Sequence, residues 1–470
     1  MVKRAQLEIL WAIRRRVARF LAPPVKRPEG MAGVVLPPVA FPSKTEAMGD
    51  DAFGYGYLQR WRSSERDLMA PAGPEETRLR LFSHNAPETP PATHPHVVVE
   101  ANNLTIDFGR IGLRDDAKHR PGYLRTRGGF SEYLPGALIA AGRRLDGFGL
   151  DLFPRDHLRD IFDALEVTGS APRSDETIDG LTLFMTREPR EHTNLFHAHT
   201  DWLAAFMAVR LLGLEEEVTR IVLLDPNPNG SLDPGLRVLF SRRNPLARRA
   251  DFGSRRVRFR HGVFVPPGYS SVLWARQHGD TSGPMVGLLV DYGRFVRAAF
   301  GVPLPDLPSP SPVRVTLLDR RPNAWGGGVL LRQFRSTAAI RDALRAIPGV
   351  IVEVVDPAAF SLTDQVRMAA QTEILVGAHG AGLSHALAMP EHGAVVEVVA
   401  RPAKDTYRLY PNMAAWTGRL FHRFECVEKF GLRGSVLDPD VEELRRCVGA
   451  LAGAVRKQRA GTRRVAPNCG

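Results

Sequence analysis

The stretch Thr372–Val399, TEILVGAHGAGLSHALAMPEHGAVVEVV, constrains the fold more than any other part of the chain. Two short apolar runs, Ile374–Val376 and Ala394–Val399, are bounded by Gly and Pro, the pattern of strands covered on both faces of a parallel sheet. Between them a glycine-rich turn (Gly377, Gly380, Gly382) enters a short predicted helix. Such a strand-to-helix turn lies at the carboxyl end of a parallel sheet, where open α/β folds bind ligands. Glycines there admit positive φ and a close approach of the backbone to a ligand. The helix start offers unpaired N–H groups and partial positive charge to a phosphate, and His379 within the turn can donate to a phosphate oxygen. The turn reads as a site for a phosphate-bearing ligand. The same spacing also suits a tight connection with no ligand, because G-x-H-G-x-G is not the dinucleotide fingerprint.

The residues GAHGAGLSHALAMPEHGAVVEV resemble the signature of glycosyltransferase family 61: G-x-H-G-A-G-L-(T/S)-(N/H), an apolar stretch ending in Pro, then a strand ending in Glu. The resemblance covers roughly Thr193 to Cys426 and is strongest over Gln365–Glu397. It implies inverting transfer of a sugar from a nucleotide sugar, a UDP-sugar expected, to a hydroxyl of a protein or polysaccharide acceptor. It also implies a GT-B-like α/β fold, two Rossmann-like parallel-sheet domains facing a cleft, and work in the Golgi or endoplasmic reticulum lumen. On the donor side the diphosphate is expected to meet His379 and the backbone of Gly380, Ala381, Gly382 and Leu383. Arg320, Arg321 and Arg332 are the candidates for a clamping arginine. LLDRR matches the family's arginine-rich strand end, but Ala324–Gly328 depart from its pattern and no Asn follows Arg332, so the choice among them stays open. Glu397 is placed to accept ribose hydroxyls or to form a strand-end salt bridge. Gln365 matches a family position and is read as supporting structure.

A second constellation is Asn194, His197, His199 and Asp201. At i, i+4 on a helix start, His197 and Asp201 share one face, a carboxylate beside an imidazole. That pair suits a general base near neutral pH; an N-terminal cap with a surface histidine is the plainer reading. Asn194, His197 and Asp201 match the family's N-x-x-H-x-x-x-D motif, which implies that Asp201 or His197 is the catalytic base and Asn194 its support. His199 has no family counterpart and reads as surface or loop.

Strands alternating with helices argue for parallel sheets, and 470 residues exceed one core. Residues 1–95 read as an irregular Pro-rich extension, 96–300 as a Rossmann-like acceptor-side domain, and 301–312, GVPLPDLPSPSP, as a linker. Residues 313–435 read as the Rossmann-like nucleotide-sugar domain, 436–458 as a helix and 459–470 as a disordered tail. His96–Ala101 and Asn103–Phe108 read as separate strands.

The net charge of +12 comes mostly from scattered arginines without interleaved aromatics, which argues against nucleic acid and suits an anionic substrate. Three cysteines, Cys426, Cys447 and Cys469, allow one pair and decide no compartment. No run of about 18 apolar residues marks a membrane-spanning helix or signal anchor. Met1–Leu21 reads as a basic amphipathic segment able to lie on a membrane or serve targeting. Sequons stand at Asn103 and Asn229. No cofactor is expected beyond the donor as substrate, and no metal: Asp438-Pro-Asp440 lies in a helix-entry turn, away from any strand end facing the donor. Two rivals remain: a non-catalytic nucleotide-sugar-binding protein on the same fold, and a serine hydrolase using Ser384 in a degraded G-x-S-x-G elbow, which a fluorophosphonate probe would label.

Overall fold

A computed structural model of the chain describes residues 41–45, 54–84, 96–114, 130–153, 157–187, 194–215, 218–227, 229–268, 271–275, 285–307, 311–321, 330–401, 408–431 and 434–465. They belong to two compact units, one within Met31–Gly279 plus Val286–Ala299, the other formed mainly by Phe300–Gly470 with Asp280–Met285. The expectations for Met1–Leu21, Ala324–Gly328 and Cys469 fall outside the described residues.

The first unit contains α1 (Tyr55–Arg62), β1 (Arg66–Met69), β2 (Arg78–His84), β3 (His96–Asp107), β4 (Leu138–Ala141), β5 (Leu165–Thr168), β6 (Glu176–Met185), α2 (Leu195–Leu212), β7 (Val218–Leu223), α3 (Asp233–Phe240), β8 (Ala247–Arg248), β9 (Arg256–Phe264) and α4 (Gly287–Ala299). Its sheet runs β1-β2-β3-β9-β6-β7-β8, with β4 joined to β3 and to β5. From β9 to β8 the neighbours are parallel, as expected. From β1 to β9 they are antiparallel, so the expected Rossmann-like parallel sheet is corrected to a mixed one. The reason lies in residues expected to be irregular. In RLRLFSH, buried Leu79 and Leu81 alternate with Arg78 and Arg80, a period-two strand hidden between Pro-rich flanks. Trp61 on α1 is fully buried and its indole N–H donates to Phe82 O at 3.0 Å, tying α1 to β2. Further upstream, Thr45 donates from its backbone N (2.8 Å) and its hydroxyl (2.6 Å) to the buried Asp291 of α4. The two strands expected over 96–108 are one, with Asn103 at φ 54.

The second unit contains β10 (Val313–Leu318), β11 (Leu330–Phe334), α5 (Thr337–Arg345), β12 (Val350–Val355), α6 (Leu362–Gln371), β13 (Ile374–Ala378), a 3₁₀ helix (Ala381–Ala388), β14 (Ala394–Ala400), α7 (Leu409–Trp416), β15 (Leu420–Gly431), β16 (Gly434–Asp438) and α8 (Val441–Val465). The sheet order is β11-β16-β15-β14-β13-β10-β12. All neighbours are parallel except the β15–β16 hairpin. Leaving β11 and β16 aside, β12-β10-β13-β14-β15 runs 2-1-3-4-5 in chain order, a doubly wound sheet whose order reverses between β10 and β13. One face is filled by Val315, Leu317, Ile374, Val376, Val396 and Val398 against α5 (Ile340, Leu344) and α8 (Leu444, Val448, Val455).

The tail expectation is corrected. Helix α8 continues to Val465, and Arg459, placed by sequence in a disordered tail, is buried. Its guanidinium donates to Glu373 Oε1 at 3.0 Å and to Ser311 O at 2.6 Å. A buried carboxylate gives the helix a fixed terminal anchor that apolar periodicity alone does not reveal. Cys426 and Cys447 are free thiols, and burial pushes each up to about 11. Among the described residues, no helix is long and apolar enough to cross a membrane.

Candidate functional site

The order reversal between β10 and β13 brings two chain segments together. Leu317 pairs with Val376, and three residues further along each strand stand Arg320 and His379. The Arg320 guanidinium donates to His379 O at 3.2 Å. The turn's glycines work differently from the expectation. None of Gly377, Gly380 and Gly382 takes the left-handed conformation, and Gly380 is extended (φ 164). What they supply is room. A Cβ on Gly380 would stand 2.6 Å from Arg320 Nη1, and one on Gly377 would stand 3.1 Å from Leu318 Cδ1 and 3.2 Å from Leu383 Cδ2. The helix entered through Ala381, Gly382 and Leu383 is a 3₁₀ helix, so the expected α-helical dipole is corrected to one 3₁₀ segment.

Glu397 lies opposite Gly377 on β14, with Arg423 opposite on its other side. His379, two residues beyond Gly377, shares that face of the sheet. Its Nδ1 donates to Glu397 Oε1 at 2.5 Å, while Arg423 Nε donates to Glu397 Oε2 at 3.1 Å. The carboxylate is fully buried with both oxygens engaged. Of the two readings of Glu397, the salt bridge is the one present here, a strand-to-strand pairing that holds His379. The imidazole side chain keeps 23% of its exposure, and its ring meets buried Tyr410 edge to face at 5.3 Å between centroids.

Arg320 and Arg332 approach the same place. Burial, reinforced by the Arg332 charge, pushes the Arg320 guanidinium below its ordinary value, against the pull of the nearby Tyr410 oxygen. Burial also pushes Arg332 down, opposed by Tyr410, Glu428 and Glu397. Among the described residues neither arginine forms an ion pair within salt-bridge distance. Arg332 holds φ 65, a conformation rare for a side chain of this size, with its N–H on Ser435 Oγ at 2.7 Å. Arg321 points away and pairs with Asp319 at 2.8 Å on the surface. Gln365 donates its amide to Phe360 O at 3.1 Å. Ser384 is wholly buried inside the 3₁₀ helix and so lacks the exposure of an elbow nucleophile. Neighbouring His385 is buried too, which pushes it down to about 4.

In the first unit, α2 begins at Leu195, and Asn194 is its N-cap, accepting from Phe196 N at 3.0 Å. The helix is buried on almost every side, so His197, His199 and Asp201 all point into the unit. Asp201 Oδ1 accepts from Gly268 N at 3.1 Å. A Cβ on Gly268 would fall 2.4 Å from that oxygen and 2.5 Å from Thr200 Oγ1. The His197 ring lies 4.9 Å from the Trp274 ring and 5.8 Å from Phe196. His199, expected at the surface, is corrected: it is buried, its Nδ1 is 2.8 Å from the Tyr292 hydroxyl and its ring is edge-on to Trp202. Burial and the Asp201 charge push the Tyr292 phenol well above its ordinary value. Among the described residues, no group of three or more His, Cys, Asp or Glu is arranged to hold a metal.

Residues 182–396 match the model of Glycosyltransferase 61. The chain carries a glycosyltransferase family 61 domain. A β-1,2-xylosyltransferase of Arabidopsis thaliana is 26% identical over 53% of this chain and 52% of its own length. The β-1,2-xylosyltransferase RCN11 of Oryza sativa subsp. japonica is 23% identical over 62% of this chain and 58% of its own. The chain thus spans about half the length of the curated relatives it matches. A metal-soaked Flv1 flavodiiron core from Synechocystis aligns with 84% of this chain and all of that one at a TM-score of 0.22 and 8% identity, too weak a likeness to carry an argument.

The family 61 match takes in α2, β10 and the glycine turn, and it stops before two residues that sequence reasoning missed. Arg423 is found only through the β14–β15 register. Tyr410 on α7 has no spacing signal at all, and only the packing of α7 against β14 brings it to His379. The Asn103 sequon also changes meaning here. Its amide donates to Pro74 O at 3.0 Å and Glu76 O at 3.2 Å, and Thr105 is fully buried, so this sequon is part of the fold.

Proposed function

We propose that the chain is an inverting glycosyltransferase of GT-B type that moves a sugar, xylose first among candidates, from a UDP-sugar to a hydroxyl of a glycan or protein acceptor. The observation that carries this reading is a pair of partly buried guanidinia that feel each other's charge, Arg320 and Arg332, with Arg320 on His379 O at the order reversal of the doubly wound sheet and neither in a salt bridge among the described residues. Like charges held together partly out of water are costly, and an incoming diphosphate lowers that cost. The names of the two plant relatives support the transfer chemistry and the choice of xylose.

In this reading the acceptor oxygen attacks the anomeric carbon on the face opposite the diphosphate. Asp201 or His197 takes the hydroxyl proton. The anomeric C–O bond breaks and its electron pair leaves with the diphosphate, whose growing charge is met by Arg320, Arg332, His379 and the amides of Gly380, Ala381, Gly382 and Leu383. Asn194 fixes the start of α2 that carries the base. Basic side chains do here what a divalent cation does elsewhere, so transfer is expected to continue unchanged in EDTA. The Golgi or endoplasmic reticulum lumen suits the relatives' chemistry, and nucleic acid is no partner in this proposal.

The deciding measurement is thermal stabilisation and donor hydrolysis with a panel of nucleotide sugars. UDP-sugars should raise the melting temperature by several degrees at about 100 times their Kd, equivalent to about 2.7 kcal/mol. A flat response across the panel sinks the proposal. Binding without transfer to any acceptor identifies a nucleotide-sugar-binding pseudoenzyme instead.

A further inference from the structure

We propose that the His379–Glu397–Arg423 chain makes donor binding proton-coupled, with Glu397 as the positioning residue that obliges His379 to meet the diphosphate as an imidazolium. This rests on the donor reading above.

The argument is one of donors and acceptors. An imidazole that gives its Nδ1 proton to a carboxylate has, when neutral, only a lone pair on Nε2. A lone pair facing a phosphate oxygen is repulsive. His379 gives Nδ1–H to Glu397 Oε1 at 2.5 Å, so it can donate to an anion from Nε2 only after taking up a second proton. The alternative, moving the Nδ1 proton to Nε2, would set an imidazole lone pair against a buried carboxylate. Glu397 has no freedom to turn aside: it is fully buried, its other oxygen takes Arg423 Nε at 3.1 Å, and the His379 backbone is pinned by its N–H on Val398 O at 3.0 Å.

The groups facing His379 from the surrounding elements are Glu397 on β14, Arg423 on β15, Tyr410 on α7, Arg320 beyond β10 and, next to Arg320, Arg332 on β11. The three arginines oppose an added proton, and Glu397 favours it. A bound diphosphate offsets the arginines, so proton and donor enter together. Nothing in the scheme is oxidised or reduced, and the proton comes from solvent.

The test uses the full chain and UDP-xylose, whose diphosphate diester has no group titrating in this range. Calorimetric titrations in buffers of different protonation enthalpy, from about pH 6 to about pH 8.5, count the protons exchanged. The expected result is net uptake that approaches one proton per donor as the pH rises, with affinity falling in step. Glu397→Gln keeps an acceptor for Nδ1–H but removes the charge. It should weaken binding about tenfold more at the alkaline end than at the acid end. His379→Gln, a neutral donor of similar reach, should keep measurable binding and exchange no proton. A merely structural role for Glu397 predicts losses independent of pH. UDP-xylose binding with no proton uptake at any pH overturns this inference and leaves the donor reading standing. Failure of the wild-type chain to bind UDP-xylose or any other UDP-sugar overturns both.

Discussion

Gly380 illustrates how a single missing carbon shapes this site. A methyl group there would collide with the far end of Arg320, a flexible side chain that can swing away. Gly380→Ala should therefore cost the fold no more than about 0.5 kcal/mol. Donor affinity should fall about tenfold, near 1.4 kcal/mol, because the guanidinium is displaced from the turn. A pairing of melting temperature with donor titration checks both halves, and an unchanged Kd refutes the placement of Arg320. Arg332 invites the opposite pairing of effects. Its guanidinium is partly buried, beside a like charge, on strained backbone. Arg332→Met should leave the empty protein as stable or about 1 kcal/mol more so, while donor binding loses roughly 1.5–3 kcal/mol. A destabilised variant with normal affinity would make Arg332 a structural residue. What sequence reveals at this scale is uneven. His379 and its glycines sit in one unbroken motif and are legible. The partner of Glu397 is not, because Arg423 is reached only through strand register, and period-two alternation cannot say which strands become neighbours.

Helices α2 and α8 carry the corresponding lesson for whole elements. A helix was expected at each place, and polar anchors fix where they end: Asn194 caps α2, and Arg459 joins α8 to Glu373. Strands β1 and β2 lie in residues read as an irregular extension, and nothing local told that they extend the sheet antiparallel. Glu373 makes the energetic point. Burial acts to raise its carboxyl, yet hydrogen bonds from His392 and Arg314 N, with the Arg459 charge, hold it below its ordinary value of 4.5. A folded-state value below the unfolded one gives stability that is fully present above the ordinary carboxylate range and is lost as pH falls through the folded value. Acid unfolding of the wild type should accordingly steepen below about pH 4.5, and Glu373→Gln should flatten that limb. Arg459→Met should cost about 3 kcal/mol in urea unfolding, the lower range for breaking a buried pair, because His392 still donates to Glu373 at 3.1 Å. A loss under about 0.5 kcal/mol would show that α8 is held by its apolar face alone.

For the whole molecule the question is which part of the proposed activity each unit can support alone. The second unit is nearly continuous in sequence from Phe300. It has its own seven-stranded sheet and an apolar core closed by α5 and α8. A chain of this size buries about 70% of the surface its unfolded form exposes, enough for independent folding. Every group proposed to hold the diphosphate (Arg320, Arg332, His379 and the turn that follows it) belongs to this unit, as do Glu397, Arg423 and Tyr410. The proposed base does not: Asp201 and His197 lie on α2, in the first unit. A fragment of residues 300–470 should therefore fold, unfold cooperatively and bind a UDP-sugar with Kd within about tenfold of the full chain, a difference of 1.4 kcal/mol or less. It should transfer no sugar to any acceptor. Asp201→Asn in the full chain should reproduce that behaviour, with donor Kd kept and kcat lowered at least about a hundredfold, the scale of a lost general base. A folded fragment that binds no donor would move the diphosphate out of the glycine turn, and a fragment that transfers sugar would remove α2 from the chemistry.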